Sequence, residues 1–73
     1  SFQEASIESV AVQRTLARLA PRYRVPLVLY TCQGMSTAEI AKVLKISQGA
    51  VKTRLFRARE KFRRLYAPGE GDG

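Results

Sequence analysis

Histidine and tryptophan are absent from these 73 residues, and cysteine occurs only once. A lone cysteine cannot form an intrachain disulfide, and without histidine the chain cannot build a zinc site from His and Cys ligands. The sequence also lacks an evident glycine-rich phosphate-binding loop and an evident pair of nucleophile and general base. We therefore predict no metal site and no cofactor, and we do not expect an enzyme.

Acidic residues are scarce as well: 6 Asp+Glu stand against 13 Lys+Arg, for a formal net charge of +7. Between residues 42 and 64 only Glu60 accompanies a run of cations, namely Lys42, Lys45, Lys52, Arg54, Arg57, Arg59, Lys61, Arg63 and Arg64. Such an excess indicates a polyanionic partner. A basic helix can also lie on an anionic membrane, but no continuous apolar face remains free here for that purpose. The sequence contains neither an apolar run long enough to span a membrane nor a signal peptide.

Two closely spaced helix starts predict a helix-turn-helix. Ser36 and Glu39 have the spacing of a capping box, and Ser47 is a second N-cap candidate. Two apolar pairs at hydrophobic-staple spacing flank these caps: Met35 with Ile40, and Ile46 with Val51. Only two residues separate Leu44 from Ser47, so the first helix must turn sharply into the second. Two capped helices joined this tightly and followed by cations indicate binding to duplex DNA.

The second helix of this motif has two distinct faces. Its apolar stripe, which we expect to face the core with Ile40, Ala41 and Leu44, contains Val51, Leu55, Ala58, Phe62 and Leu65. At 100° per residue the opposite side carries Gly49, Thr53, Phe56, Arg57, Glu60 and Arg64, with Lys52 and Arg63 on its flank. An exposed Phe56 beside Arg57 suits contact with a thymine methyl and with phosphate or guanine. The alternatives are that Phe56 contacts another protein or is an isolated apolar surface residue.

A further helix is predicted at the start of the chain. One side of it carries Ala5, Val12, Leu16 and Leu19, while Ile7 and Val10 fall on another side. This second group is either a wide amphipathic beginning or a surface left bare by the removal of a neighbouring protein.

The next helix is predicted to open at Pro21 and to close at Gly34, with a kink or a late start caused by Pro26. One apolar stripe contains Val25, Val28, Leu29 and Cys32, so Cys32 is expected to be a small core residue. The reverse side carries Tyr23, Leu27 and Tyr30. These three either pack inside the domain or receive a partner helix, and they are our candidates for partner binding.

Together these patterns predict an all-α, four-helix domain over residues 1–66 that ends in the helix-turn-helix. Residues 67–73 have almost nothing to bury and are expected to be a disordered tail.

The stretch from Leu19 to Leu65 resembles region 4 of the extracytoplasmic-function (ECF) group of bacterial sigma factors. The matching landmarks are Leu19, Pro21, Arg24, the segments 34–36 and 39–41, Leu44, and Ile46-Ser47. The run GAVKTRLFRARE, from Gly49 to Glu60, is the most specific of them. Two positions depart from helix-turn-helix patterns: Lys45 stands where glycine is usual, and Arg54 where many such proteins place an apolar residue. A left-handed Lys45 costs on the order of 1 kcal/mol.

This resemblance implies recognition of the promoter minus-35 element in the major groove. By similarity, Lys52, Thr53, Phe56 and Arg57 contact bases or backbone. The full set of DNA-binding candidates is Ser47, Gln48, Gly49, Lys52, Thr53, Arg54, Phe56 and Arg57. The resemblance also implies docking on the β-subunit flap of RNA polymerase and inhibition by an anti-sigma factor at the same area. Promoter melting and the main polymerase anchor belong to a preceding domain in this group, so the chain is expected to be part of a longer protein.

The predicted function is therefore minus-35 recognition by a cytoplasmic protein that is monomeric as an isolated domain. Two alternatives remain open at this point. One is the output domain of a response-type transcription regulator, which would need a dimerising last helix. The other is a module that binds RNA polymerase or an anti-sigma factor and hardly touches DNA.

Overall fold

The computed structural model describes residues 9–66, and this part of the chain folds into four α-helices without a β-strand. The helices are α1 (Val10–Arg18), α2 (Pro21–Thr31), α3 (Thr37–Leu44) and α4 (Gln48–Leu65). The predicted all-α, four-helix fold that ends in a helix-turn-helix is confirmed. The predicted tail and the apolar positions Ala5 and Ile7 lie outside the described residues.

Three of the four helices begin at a serine whose hydroxyl accepts a hydrogen bond from the first turn. The Ser9 hydroxyl accepts from the Val12 amide at 3.1 Å, and the Ser47 hydroxyl accepts from the Ala50 amide at 3.0 Å. At Ser36 the predicted capping box is complete, since its hydroxyl accepts from the Glu39 amide while its own amide donates to the Glu39 carboxylate. Helix α2 begins with proline at its first position instead, which needs no partner for an amide.

The helix ends are held by backbone geometry and by one arginine. The Arg24 guanidinium donates to the Leu19 carbonyl at 3.1 Å, at the end of α1. Past the end of α2, Gly34 has φ +68°, a left-handed conformation that favours glycine. The amide of the following residue, Met35, then donates back to the Leu29 carbonyl. The predicted end of α2 at Gly34 is therefore late: the helix ends at Thr31 with Cys32 as its C-cap, and Gly34 makes the left-handed turn that follows.

The core is small and is centred on α4. Its buried apolar members are Leu19, Leu27, Ile40, Val51, Leu55 and Ala58. Helix α4 packs against each of the other three helices, and α2 also packs against α3. Phe62 and Leu65 continue the α4 stripe as half-buried residues. The predicted inward face of α4 is therefore confirmed, as is the burial of Ile40 with half-buried Ala41 and Leu44 beside it.

The expectation that Cys32 of α2 is a core residue is wrong, whereas Leu29 of the same stripe packs half-buried against the core. Val25 is 39% exposed and Cys32 is exposed, so they lie on the surface and Cys32 is not a core residue. The buried residues of α2 are Pro26 and Leu27. Sequence reasoning treated Pro26 only as a helix disturbance, but a proline ring is apolar and has no amide donor to leave unpaired. Once Pro26 is counted as apolar, the inward stripe of α2 runs through positions 23, 26 and 27, with Leu29 half-buried beside it and Tyr30 at its exposed edge.

The first helix contributes less to the core. Leu16 packs half-buried against the core, while Val10 is exposed, as its position off the main stripe predicted. Thr15 is buried, and its hydroxyl donates to the Ala11 carbonyl one turn earlier at 2.8 Å. That bond removes the cost of burying the hydroxyl.

Replacing Leu55 by alanine tests the helical register of α4. Leu55 is 3% exposed, and its truncation should lower the free energy of unfolding by about 2–5 kcal/mol. The neighbouring Phe56→Ala is the matched control, because that ring is 64% exposed and its loss should change stability by at most about 0.5 kcal/mol. Urea denaturation of both variants gives the comparison. Equal costs at the two positions would contradict this register.

Candidate nucleic-acid interface

The outward side of α4 forms a continuous exposed strip. Among the predicted DNA-binding residues the exposed ones are Ser47, Gln48, Gly49, Lys52, Thr53, Phe56 and Arg57, and Arg54 is half-buried. From residue 47 to residue 57 the strip extends about 15 Å along the helix axis. An α-helix with such a strip fits the major groove of B-DNA, which is about 12 Å wide.

Phe56 is the most unusual member of this strip. Its side chain is 64% exposed, the highest value among the large apolar residues of the described chain. It lies between cations on the side of α4 that points away from Leu55 and Ala58. An apolar ring in this position gains stability when a partner covers it, because its surface is then removed from water.

Gly49 adds an opening in the same strip. A Cβ atom built there would meet only the Ser47 hydroxyl oxygen, at 3.9 Å, which is an ordinary contact. The fold therefore does not require glycine at this position. The missing side chain leaves the first turn of α4 accessible to close approach by a ligand.

The positive charge of the strip is not neutralised from within. The described residues contain two carboxylates, Glu39 and Glu60. Glu39 accepts from the Ser36 amide in the capping box, and Glu60 pairs with Arg63 at 3.0 Å on the surface. Lys52 and Arg57 consequently have no carboxylate partner among residues 9–66, and both are free to meet an external anion.

A side-chain hydrogen bond joins the beginnings of the two helices of the motif. The Gln48 amide nitrogen donates to the Thr37 hydroxyl oxygen at 2.7 Å. Each residue is the first of its helix, directly after a serine cap. Sequence reasoning named Gln48 but missed Thr37, although the equal placement of the two residues after their caps was a usable signal. The bond fixes the start of α4 against α3.

The turn between these helices depends on Lys45, which has φ +59° and ψ +45°. The conditional expectation of a left-handed residue at this position is confirmed. The amides of Lys45 and Ile46 both donate to the Ala41 carbonyl, so the last turn of α3 closes through the backbone. A lysine side chain in this conformation is strained relative to glycine.

The predicted partner-binding residues belong to α2, which packs on the side of α4 opposite the exposed strip. Leu27 is 6% exposed and belongs to the core, which corrects the expectation that it is available to a partner. Tyr23 is half-buried and Tyr30 is 38% exposed. Cations of α4 cover both rings: Lys61 lies 5.3 Å from the Tyr23 centroid, and Arg59 lies 5.5 Å from the Tyr30 centroid. The tyrosines therefore link α2 to α4 while keeping part of their surface exposed.

The described residues form neither a metal-binding group nor a membrane-spanning helix. Residues 9–66 contain no group of three or more His, Cys, Asp or Glu side chains placed to hold a metal ion. None of the four helices is long and apolar enough to cross a membrane.

The family described as Sigma-70, region 4, matches residues 9–62. The ECF RNA polymerase sigma factor SigM of Mycobacterium tuberculosis is 42% identical over 62 residues, which cover 84% of this chain and 32% of that protein. The ECF RNA polymerase sigma factor SigW of Bacillus subtilis is 38% identical over 56 residues, covering 77% of this chain and 30% of that protein.

A third relative is the RNA polymerase sigma factor SigZ of Bacillus subtilis, which is 37% identical over 57 residues, or 78% of this chain and 32% of that protein. The chain thus spans about a third of the length of the curated relatives it matches. No solved structure gives a significant match.

The left-handed turn residue can be tested by substitution. Lys45→Gly should raise the free energy of unfolding by about 0.5–1 kcal/mol, because glycine adopts this conformation without strain. Lys42→Gly removes the same charge from the interior of α3 and should lower stability by about 1 kcal/mol. Thermal and urea unfolding of the two variants measure both effects. A destabilised Lys45→Gly would contradict the strained geometry of the turn.

Proposed function

Because the chain belongs to the sigma-70 region 4 family, we propose that it recognises the minus-35 element of bacterial promoters and directs RNA polymerase to them. In this proposal it acts as the C-terminal part of an ECF-type sigma factor in the cytoplasm. Its work is binding, not catalysis. The comparisons give no support to the alternatives of a response-type regulator or a module without DNA binding.

The observation that carries the proposal is the outward side of α4. It combines an exposed Phe56, an open first turn at Gly49, and the cations Lys52 and Arg57, which have no carboxylate partner among residues 9–66. Each feature has a counterpart in duplex DNA. Phosphates and guanine edges accept from Lys and Arg, an aromatic ring packs on a thymine methyl, and a glycine admits the base pairs closely.

The roles within this strip can be divided. Lys52 and Arg57 contact phosphate or guanine, while Thr53 and Phe56 contact base edges and methyl groups. Ser47 and Gln48 lie at the start of α4, where backbone amides and the helix dipole favour a phosphate. Arg54 is half-buried, so its guanidinium reaches the DNA backbone only from the flank.

The α3 helix has a supporting role in this proposal. The hydrogen bond from Gln48 to Thr37 leaves the Thr37 hydroxyl hydrogen free to donate, because the hydroxyl oxygen serves as the acceptor. In a helix-turn-helix the first helix crosses the DNA backbone while the second enters the groove. Thr37 is therefore the residue of α3 that we assign to a phosphate contact.

The proposal predicts weak, strongly salt-dependent binding of the domain to duplex DNA that contains a minus-35 element. Arg57→Ala and Lys52→Ala should both weaken binding, and loss of one phosphate contact should reduce the salt slope by about one unit. Fluorescence anisotropy across a salt series measures affinity and slope together. Arg14→Ala is the matched control, since it removes the same charge from an exposed site on α1.

If Arg57→Ala, Lys52→Ala and Arg14→Ala all bind DNA equally, any loss of affinity reflects net charge alone, and the proposed DNA face is wrong. If only Arg57→Ala and Lys52→Ala lose affinity, the assignment stands. Circular dichroism of each variant checks that the helices remain formed.

We further propose that the domain binds the core RNA polymerase, through the flap of the β subunit, and that an anti-sigma factor competes for the same area. The support is the sigma-factor family together with the exposed parts of Tyr23 and Tyr30 on the α2 side. Leu27 is not included, since it is buried.

An isolated flap domain titrated against the isotope-labelled protein tests this second contact. We expect amide shifts on α2 around Tyr30 that persist when DNA is bound, and a several-fold loss of affinity in Tyr30→Ala. Shifts confined to residues 47–57 would instead place the protein contact on the DNA face and refute a separate surface.

A further inference from the structure

A cleft of about 370 Å³ lies between the junction of α1 with α2 and the last turns of α4. Leu19, Tyr23 and Leu65 supply apolar surface to it, and Arg18, Lys61 and Arg64 supply the cations around it. None of its lining residues is acidic. The cleft is large enough to hold an apolar side chain of a ligand together with neighbouring polar groups.

The cations around this cleft lack an anionic partner in the described chain. The only two carboxylates of residues 9–66 are engaged elsewhere, in the Ser36 capping box and in the pair of Glu60 with Arg63. The Tyr23 ring receives two cations, Arg22 at 5.8 Å and Lys61 at 5.3 Å from its centroid. Cations gathered this closely repel one another, so a carboxylate placed among them would gain attraction from several at once.

Most of the cleft lies to one side of the proposed DNA face, but Arg64 is on the same side of α4 as Arg57, two turns further along. Lys61 follows Phe56 by five residues, which places it about 140° around the helix, next to α2. Its contact with Tyr23 fixes it there. A duplex that covers Phe56 and Arg57 would therefore leave open the part of the cleft formed by Leu19, Tyr23 and Lys61, with Arg64 at its border.

We propose that the cleft binds an acidic segment of a protein partner, with one apolar side chain inserted against Leu19 and Leu65 and with carboxylates facing Arg18, Lys61 and Arg64. The apolar surface favours a peptide over a nucleic acid, since a phosphate backbone has no apolar side chain to insert. This inference rests on the proposed contact with a protein partner, and it is independent of DNA binding.

A synthetic helical peptide with a leucine flanked by glutamates is the probe, titrated against the isotope-labelled protein at up to millimolar concentration. Amide shifts are expected at Leu19, Tyr23 and Leu65. A matched peptide with glutamine in place of each glutamate should bind roughly tenfold more weakly, because it loses the charge-assisted contacts. No shifts in the cleft, or equal affinity for the two peptides, would overturn the proposal.

Two double variants with the same net charge isolate the cleft. Arg18→Gln/Lys61→Gln removes two cations at the cleft, and Arg14→Gln/Lys42→Gln removes two exposed cations elsewhere. The first variant should bind the acidic peptide at least about fivefold more weakly than the second, since only the first loses direct contacts. Both should bind promoter duplex equally. A larger loss of duplex binding in the first variant would assign the cleft to nucleic acid and refute a peptide site.

A last variant tests whether the acidic residues near the end of this chain, Glu70 and Asp72, are themselves the ligand of the cleft. If Glu70→Gln/Asp72→Asn shifts the amide signals of Leu19, Tyr23 and Leu65 in the absence of peptide, the cleft is occupied in cis, and a partner in trans is not its ligand. Unchanged amide signals support the proposal. Loss of DNA binding in Arg57→Ala with intact peptide binding would separate a failure of the minus-35 proposal from a failure of this one.

Discussion

The rest of the structure depends on one constraint, namely which side of α4 faces the core. Val51 and Ala58 are completely buried and Leu55 nearly so, over two turns of one helix. Burying three apolar side chains of this size stabilises the domain by several kcal/mol relative to exposing them. No other rotation of α4 recovers that free energy, because every other side of the helix carries charges. The burial therefore decides which residues face outward.

The orientation of α4 separates two groups of its cations. Lys52 and Arg57 project with Phe56 into solvent, while Arg59 and Lys61 lie over the tyrosines of α2. Cations stacked on aromatic rings are partly compensated without any carboxylate. A domain with only two described acidic residues can thus hold α2 against α4 and still keep a second set of cations for an external anion.

The sequence was sufficient for features that depend on local spacing. The capping box at Ser36, the cap at Ser47 and the stripe from Val51 to Ala58 need only the helical period, and all are present. The sequence was not sufficient to predict how the helices pack against one another. On α2 the core assignment of Cys32 was wrong, and the burial of Pro26 was missed because that proline was taken as a helix disturbance instead of an apolar residue. The bond from Gln48 to Thr37 joins residues of two helices, and the period within either helix says nothing about their mutual placement.

Both proposed binding faces include side chains of α4, and this shared helix sets how strongly they can influence each other. Binding at either face does not require α4 to move, because the buried side of α4 is fixed in the core. Coupling between the two partners is then left to electrostatics, as an acidic segment at Arg64 lowers the positive potential at Arg57. Seven residues separate these positions, or about 10 Å along the axis, which is comparable to the screening length at physiological salt. The coupling should accordingly be weak in the cell and stronger at low salt, so DNA and an acidic partner can occupy the domain together.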